Sequence, residues 1–364
     1  MTNDMTKGSP IKLILSFMVP LLIGNIFQQF YNMADTIIVG RTISVEALAA
    51  VGATGSISFL IVGFVQGVTS GFAVITAQRF GAGSENGVRR SVATSIILGI
   101  AVTIVMTAIS VLAARPLLEI MKTPSDIIDD SYNYIIVIFE GIAAAVFFNL
   151  FSSILRSLGD SKTPLVFLII ASIINIILDF VFILTFKMGV AGAGWATVIA
   201  QFISGILCFV YSLKKFPILR LTKHDWKFSW KFAWQHLEVG LPMAFQFSIT
   251  AIGTMVIQSA LNSLGSTAVA AFTAGSKIDQ FATQPLASLG VAVATYTAQN
   301  YGARKLERIK KGVTGAAIIA TVCGIVGGLV VITFAKPLVS LFVANSHNEI
   351  MSISKEYHDL NGVF

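Results

Sequence analysis

The sequence predicts an all-α polytopic membrane protein built of two homologous lobes, six helices in the first and fewer in the second. Three observations carry that prediction. Of 364 residues, 55% are hydrophobic and only 12% charged, with a mean hydropathy of +0.81, whereas roughly a quarter of the residues of a soluble domain are charged. Apolar runs of membrane-spanning length, about 20 residues, recur along the chain without the alternation of a membrane barrel. Finally, the chain contains itself twice: Ile75 to Ala82 (ITAQRFGA) returns as Tyr296 to Ala303 (YTAQNYGA), 221 positions later.

The same shift carries Ala47-Leu48-Ala49-Ala50 onto Ala268-Val269-Ala270-Ala271, Arg89-Arg90 onto Lys310-Lys311, and Arg115-Pro116-Leu117 onto Lys336-Pro337-Leu338. With one residue of slip, Val19-Pro20-Leu21 falls on Leu241-Pro242-Met243. Internal duplication of an apolar chain marks many secondary transporters, whose substrate sites lie where the repeats meet.

Taken in order, the spans are expected at 13–38, 53–78, 92–114, 131–155, 164–186, 191–213, 239–262, 270–297 and 312–335, with a tenth beginning near Glu356. The first apolar run starts near Ile11 and passes through Asp35 with no small-residue cleavage site, so it reads as a membrane helix and not a signal peptide. The expected organisation is a first lobe over 1–215, a linker over 216–237, and a second lobe over 238–364 with about three and a half spans. In the linker, Trp226, Trp230, Trp234 and Leu237 recur at helical spacing with Lys223, Lys227 and Lys231 between them. That pattern predicts an amphipathic interfacial helix joining the lobes.

Lys and Arg counted by alternate loops give 18 on the side of the N-terminus and 6 on the other. By the positive-inside rule the N-terminus is expected in the cytoplasm of a multi-pass plasma (inner) membrane protein. The net charge of +7 is therefore a topology signal, and a nucleic-acid partner gets no support from it. Cys208 and Cys323 sit singly in apolar runs, and His224, His236, His347 and His358 are scattered over polar segments. No disulfide, metal-ligand spacing or nucleophile triad can be assembled from them, so no enzyme activity is expected.

A charge near the bilayer centre costs about 2.5–3.5 kcal/mol on insertion scales, so each one asks for a partner or a function. Asp35, Asp179 and Asp279 qualify, and Asp279 stands beside Lys277. Gln28, Asn32 and Asp35 are spaced to share one helix face, as are Asn175 and Asp179. Pro20 lies in the same helix as Asp35 and permits a kink or hinge. Thr197 follows the small-residue run Gly189 to Gly194, which allows neighbouring helices to approach closely. If Asp35, Asn175, Asp179 and Thr197 converge, they make an all-oxygen site suited to Na⁺ or to a shared proton. The alternative is that they are separate interhelical hydrogen bonds that only hold the lobe together. Asp279, facing a central cavity, would attract a cationic substrate, or else it pairs structurally. Glu140 falls near the expected outer interface, where water would hydrate it.

These residues resemble the multidrug and toxic compound extrusion (MATE) family, in its DinF/MepA-like branch, within the superfamily that includes polysaccharide and lipid flippases. The resemblance rests on Pro20, Asn32-Met33-Ala34-Asp35 and Gly40; Thr76-Ala77-Gln78 to Gly81; Arg156 to Pro164 (RSLGDSKTP); Gly192 to Thr197 (GAGWAT); and Gly240-Leu241-Pro242. It covers essentially the whole chain, and the Arg156 to Pro164 loop is the most specific part. It implies two six-helix lobes facing each other in a V, with a Na⁺ or H⁺ gradient driving export of organic cations and other amphipathic compounds. It implies a cation site at Asp35, Asn175, Asp179 and Thr197, with Na⁺ the only metal and no other cofactor, a hinge at Pro20, and a cavity that includes Gln28, Asn32, Gln246 and Asp279.

Two departures stand out. Gln246 occupies the helix where some branches carry an essential Glu, and two copies of the repeat would need about 440 positions. The second lobe is therefore expected to be incomplete. A monomer in the lipid bilayer, acting on small amphipathic molecules, is expected. The rival readings are a lipid-linked oligosaccharide flippase, which would need several cavity cations besides Lys277, and a truncated remnant without activity.

Overall fold

The computed structural model describes residues 4–262 and 266–340. Among them are eleven α-helices: α1 (Pro10–Thr42), α2 (Val45–Ala53), α3 (Gly55–Gly81), α4 (Glu85–Ile120), α5 (Ile128–Glu140), α6 (Ile142–Ser157), α7 (Lys162–Phe180), α8 (Gly189–Lys215), α9 (Trp230–Asn262), α10 (Ser266–Gly302) and α11 (Leu306–Ser340). Each of the nine expected spans coincides with a helix or a helix pair. The expected tenth, from Glu356, lies outside the described residues. Among the described residues seven helices are long and apolar enough to cross a membrane, or eight if α5 and α6, bent by 48° at Gly141, count as one span.

Several of these runs are rich in Ile and Val, poor helix formers in water. In a bilayer the argument reverses, because every backbone group must be satisfied within the segment, and the helix does that. The surface agrees: Ile104, Leu112 and Ile120 on α4 are 65%, 80% and 75% exposed, an outward apolar display that a lipid solvent tolerates. Polar residues mark the boundaries instead. Pro10 opens α1 at the position where its missing N–H costs nothing. Ser84 accepts a hydrogen bond from the Gly87 amide to cap α4. Asp160 accepts from both the amide and the hydroxyl of Thr163 at the start of α7.

The linker differs from expectation. Pro217–Leu219 form a 3-10 turn, Thr222 to Trp226 form further turns, and the helix begins only at Trp230, continuing directly into a span. Asp225 explains the break: its Oδ2 accepts from both the amide and the hydroxyl of Thr222, at 2.7 Å each. Lys223 and Lys227 therefore lie outside any helix. Trp230 and Trp234 do share an exposed aromatic face, their rings 6.5 Å apart, and Leu237 packs inward near Phe72 and Ala244.

The duplication is visible in how the lobes meet. The first lobe's α3 packs along the second lobe's α9, and α1 packs along α10, so one contact is the repeat-related image of the other. The α1–α10 seam is sealed by Ile14, Phe17, Met18, Leu289, Ala292 and Tyr296, and by an Asn25 Nδ2 to Ser288 Oγ hydrogen bond of 3.1 Å. Along α3–α9 a side chain at Gly67 would come within 2.5 Å of the Ala244 backbone, which is why that seam needs glycine.

At the face carrying the N-terminus the repeats touch each other directly. A Cβ on Gly81 would collide with the Gln299 carbonyl, and one on Gly302 with the Gln78 carbonyl. Each partner is the other's image in the repeat. The helix ends match as well. Gly83 and Arg304, also related by the repeat, both have positive φ, 68° and 56°. Ser84 N bonds Arg79 O at 3.1 Å and Lys305 N bonds Asn300 O at 2.9 Å, the six-to-one closure of a Schellman cap.

Candidate cation-binding site

Asp35 stands near the end of α1, Asn175 and Asp179 one turn apart on α7, and Thr197 within α8. The structure brings all four together. Asn175 and Asp179 are fully buried and Asp35 is 8% exposed. Asn175 Nδ2 donates to Thr197 Oγ1 at 3.3 Å, and the two carboxyls are neighbours in the cluster. Directly after Asp179 the helix widens into a π-helical turn, Val181–Thr185, a local irregularity that often accompanies functional positions.

Four oxygens in this cluster are buried without a hydrogen-bond donor: Asp35 Oδ1, Asn175 Oδ1, and both Oδ1 and Oδ2 of Asp179. Such groups are costly to bury unpaired, and an uncompensated buried carboxylate costs several kcal/mol. Among the described residues neither carboxyl forms an ion pair. The donor set is all oxygen, and among the described residues no group of three or more His, Cys, Asp or Glu could hold a metal ion. A hard monovalent ion fits this chemistry better than a transition metal.

Two aromatic residues belong to the site that sequence reasoning did not pick out. The Tyr31 hydroxyl lies 3.2 Å from Thr197 Oγ1, and Tyr134 on α5 stands near Asp35 and Asp179. Tyr31 was findable, since it precedes Asp35 by four residues and so shares its helix face. Tyr134 had no local signal.

The polar stripe of α1 divides: Asp35 and Tyr31 turn toward α7 and α8, while Gln28 and Asn32 are exposed. Gln246 on α9 is also exposed, and Asp279 on α10 is half-buried. None of these four joins the carboxylate cluster. Phe30 and Phe281, from α1 and α10, face each other at 6.3 Å across the lobes. Glu140 is exposed at the α5–α6 bend. Pro20 is buried, and α1 runs through it unbroken.

Away from this cluster, a latch closes the face carrying the N-terminus. Gln299, fully buried, accepts from the Met5 amide at 2.9 Å and donates through Nε2 to the Ser157 carbonyl at 2.8 Å. It thereby ties α10 to α6 and to the N-terminal segment. Asn300 donates to Met5 O, Lys305 to Thr6 O, and Arg308 to Gly8 O, at 3.1, 2.9 and 2.9 Å. Asp4, outside the spans, is partly desolvated, which acts to raise its carboxyl. Its bonds to Thr6, with Lys7 and Lys305 nearby, outweigh that and hold it below the ordinary value.

A multi-pass helical protein with two repeats clasped at one face and a buried carboxylate pair in one lobe is, by class, a two-lobed membrane transporter. Residues 20–181 and 242–362 match the MatE family profile, and the chain belongs to the MATE family of multidrug efflux transporters. It is 28% identical over 349 residues to the probable multidrug resistance protein YoeA of Bacillus subtilis, covering 94% of this chain and 75% of that one. It is 24% identical over 340 residues to the FAD transporter of Shewanella oneidensis, covering 92% of this chain and 75% of that one. Among solved structures it is similar to the outward-facing conformation of a multidrug resistance MATE family transporter, with a TM-score of 0.91 and 26% identity, covering 99% of this chain and 80% of that one. The flippase reading is not favoured by these relatives.

Proposed function

We propose that this chain is a cation-coupled antiporter of the plasma membrane that exports amphipathic organic cations by alternating access. The single observation that supports coupling is the set of four buried oxygens without donors at Asp35, Asn175 and Asp179. Na⁺ or H⁺ entering from outside neutralises the two carboxylates and removes the cost of burying them. Thr197 and Asn175 supply further oxygens, and Tyr31 orients Thr197. Filling the site changes the balance of charge and hydrogen bonds around α1, which rearranges about Pro20 and releases substrate outward.

The positive-inside count puts the N-terminus and the latched face in the cytoplasm. In that orientation the clasped state is closed to the cytoplasm and faces outward. Substrate contact is assigned to Gln28, Asn32, Gln246 and Asp279, with the Phe30–Phe281 pair offering the aromatic faces a lipophilic cation prefers. Moving one charge through 100 mV supplies about 2.3 kcal/mol, a roughly fiftyfold concentration ratio per coupled ion.

The test is reconstitution into liposomes with ethidium as substrate, imposing a Na⁺ gradient and a H⁺ gradient separately. Acceleration by either one identifies the coupling ion. Ethidium movement indifferent to both gradients sinks the proposal.

A further inference from the structure

Beyond the transport route, the outer surface of the first lobe carries an apolar groove of about 690 Å³ between α4, α6 and α8, within the roughly 300–1,000 Å³ range of ligand-sized cavities. Its walls include Gly99, Ile104, Ala143 and Phe202, and its end toward the linker is formed by Leu213, Leu221 and Trp226. Ile104 and Phe202 are 65% and 48% exposed, so the groove opens onto the hydrocarbon side of the helices. The small residues Gly99 and Ala143 leave the space that larger side chains would fill.

Cations gather at one end of the groove. Each of the three linker-end residues is flanked in sequence by a cation: Leu213 by Lys214, Leu221 by Arg220, and Trp226 by Lys227, all three exposed. Arg220 donates its Nε to the Leu213 carbonyl at 3.3 Å. Its guanidinium is thus held at the rim, and no other hydrogen bond is made by it among the described residues. Asp225, the acid next to Trp226 in sequence, is already engaged, accepting from Thr222 and facing Arg89 Nε at 3.8 Å. That turn places Trp226 over the groove, an amphipathic ring where chain and headgroup regions meet.

We propose that this groove is a binding site for an anionic phospholipid, one acyl chain lying between α4 and α8 and the phosphate held by Lys214, Arg220 and Lys227. An apolar slot with a cationic rim matches a lipid of that charge. A lipophilic cation, the substrate class proposed for the transport route, is repelled by the same rim.

Native mass spectrometry of the purified full chain in detergent tests it, with dioleoylphosphatidylglycerol and dioleoylphosphatidylcholine supplied as equal competitors. The wild type should retain the glycerol lipid at least about fivefold more than the choline lipid, the size expected from a single well-placed cation. Ala143→Phe, which fills the groove, should lose retention of both, and Thr103→Phe, a second filling variant, should do the same. The triple variant Lys214→Gln/Arg220→Gln/Lys227→Gln should keep lipid but lose the preference. Equal retention of the two lipids by wild type overturns the proposal. So does full retention in both filling variants, which would place the lipid elsewhere, or a preference that survives the triple variant. Size-exclusion profiles matching wild type qualify each variant as folded, and either filling variant alone suffices for the reading.

Discussion

Replacing Gln299 by Ala should open the latched face. The Gln299 side chain makes two hydrogen bonds to backbone groups, Met5 N–H and Ser157 C=O, and all three residues are buried to 2% exposure or less. The truncation leaves a buried donor and a buried acceptor unsatisfied, at about 1–3 kcal/mol each. Water admitted to the vacated volume moves the sum toward its lower end, about 2 kcal/mol. The open state, in which these groups are hydrated, loses nothing. Relative to wild type the closed-to-open ratio therefore falls roughly thirtyfold. The assay is maleimide labelling of Ala298→Cys, a position 4% exposed beside Gln299, with Cys208 and Cys323 replaced by Ala. Labelling should accelerate by about that factor when Gln299→Ala is added. A rate within about twofold of the Gln299 background would refute the idea that this side chain latches the lobes.

Gly302→Ala should abolish transport while leaving membrane insertion intact, because the added methyl collides with the Gln78 carbonyl. Gly253→Ala, with nothing within 4 Å of its Cβ position, is the control that should transport normally in the same vesicle efflux assay. Arg304 holds a φ of 56° where its repeat partner is Gly83, so Arg304→Gly should stabilise the protein by about 1 kcal/mol and raise its thermal midpoint. Asp225, in the linker outside the spans, is pushed up by desolvation but held net below its ordinary value by the Thr222 bonds and Arg89. A lowered folded-state pKa means its stabilisation is present above the unfolded value of about 3.9 and is lost as pH falls through the folded value. Asp225→Asn should therefore lower the thermal midpoint at pH 7, and the difference from wild type should vanish on acidification below that range.

Much of the fold was legible because the bilayer makes length and hydropathy sufficient: all nine expected spans lie on helices. The repeat also told more than similarity. It aligned Gly81 with Gly302, and the contacts these two glycines make are images of each other. Which way each helix faces was less legible. A lipid-facing side is as apolar as a packed one, so periodicity does not separate inside from outside, and Gln28 and Asn32 could not be told from Asp35 by spacing. Local polar chemistry overrode the period in the linker, where Asp225 binds Thr222 and delays the helix to Trp230. The convergence of α1, α7 and α8 was anticipated in its acids and amide. Tyr134 came from a fourth helix with no spacing to announce it. The lobes are chemically unequal: the repeat sets Asp279 where the first lobe has Ser58.

If Asp35 and Asp179 couple the ion gradient to export, uphill transport depends on both carboxylates. In liposomes with the effective gradient imposed, Asp179→Asn should still exchange ethidium down its own gradient but no longer concentrate it. Concentration of ethidium by Asp179→Asn to the wild-type level would rule out that role.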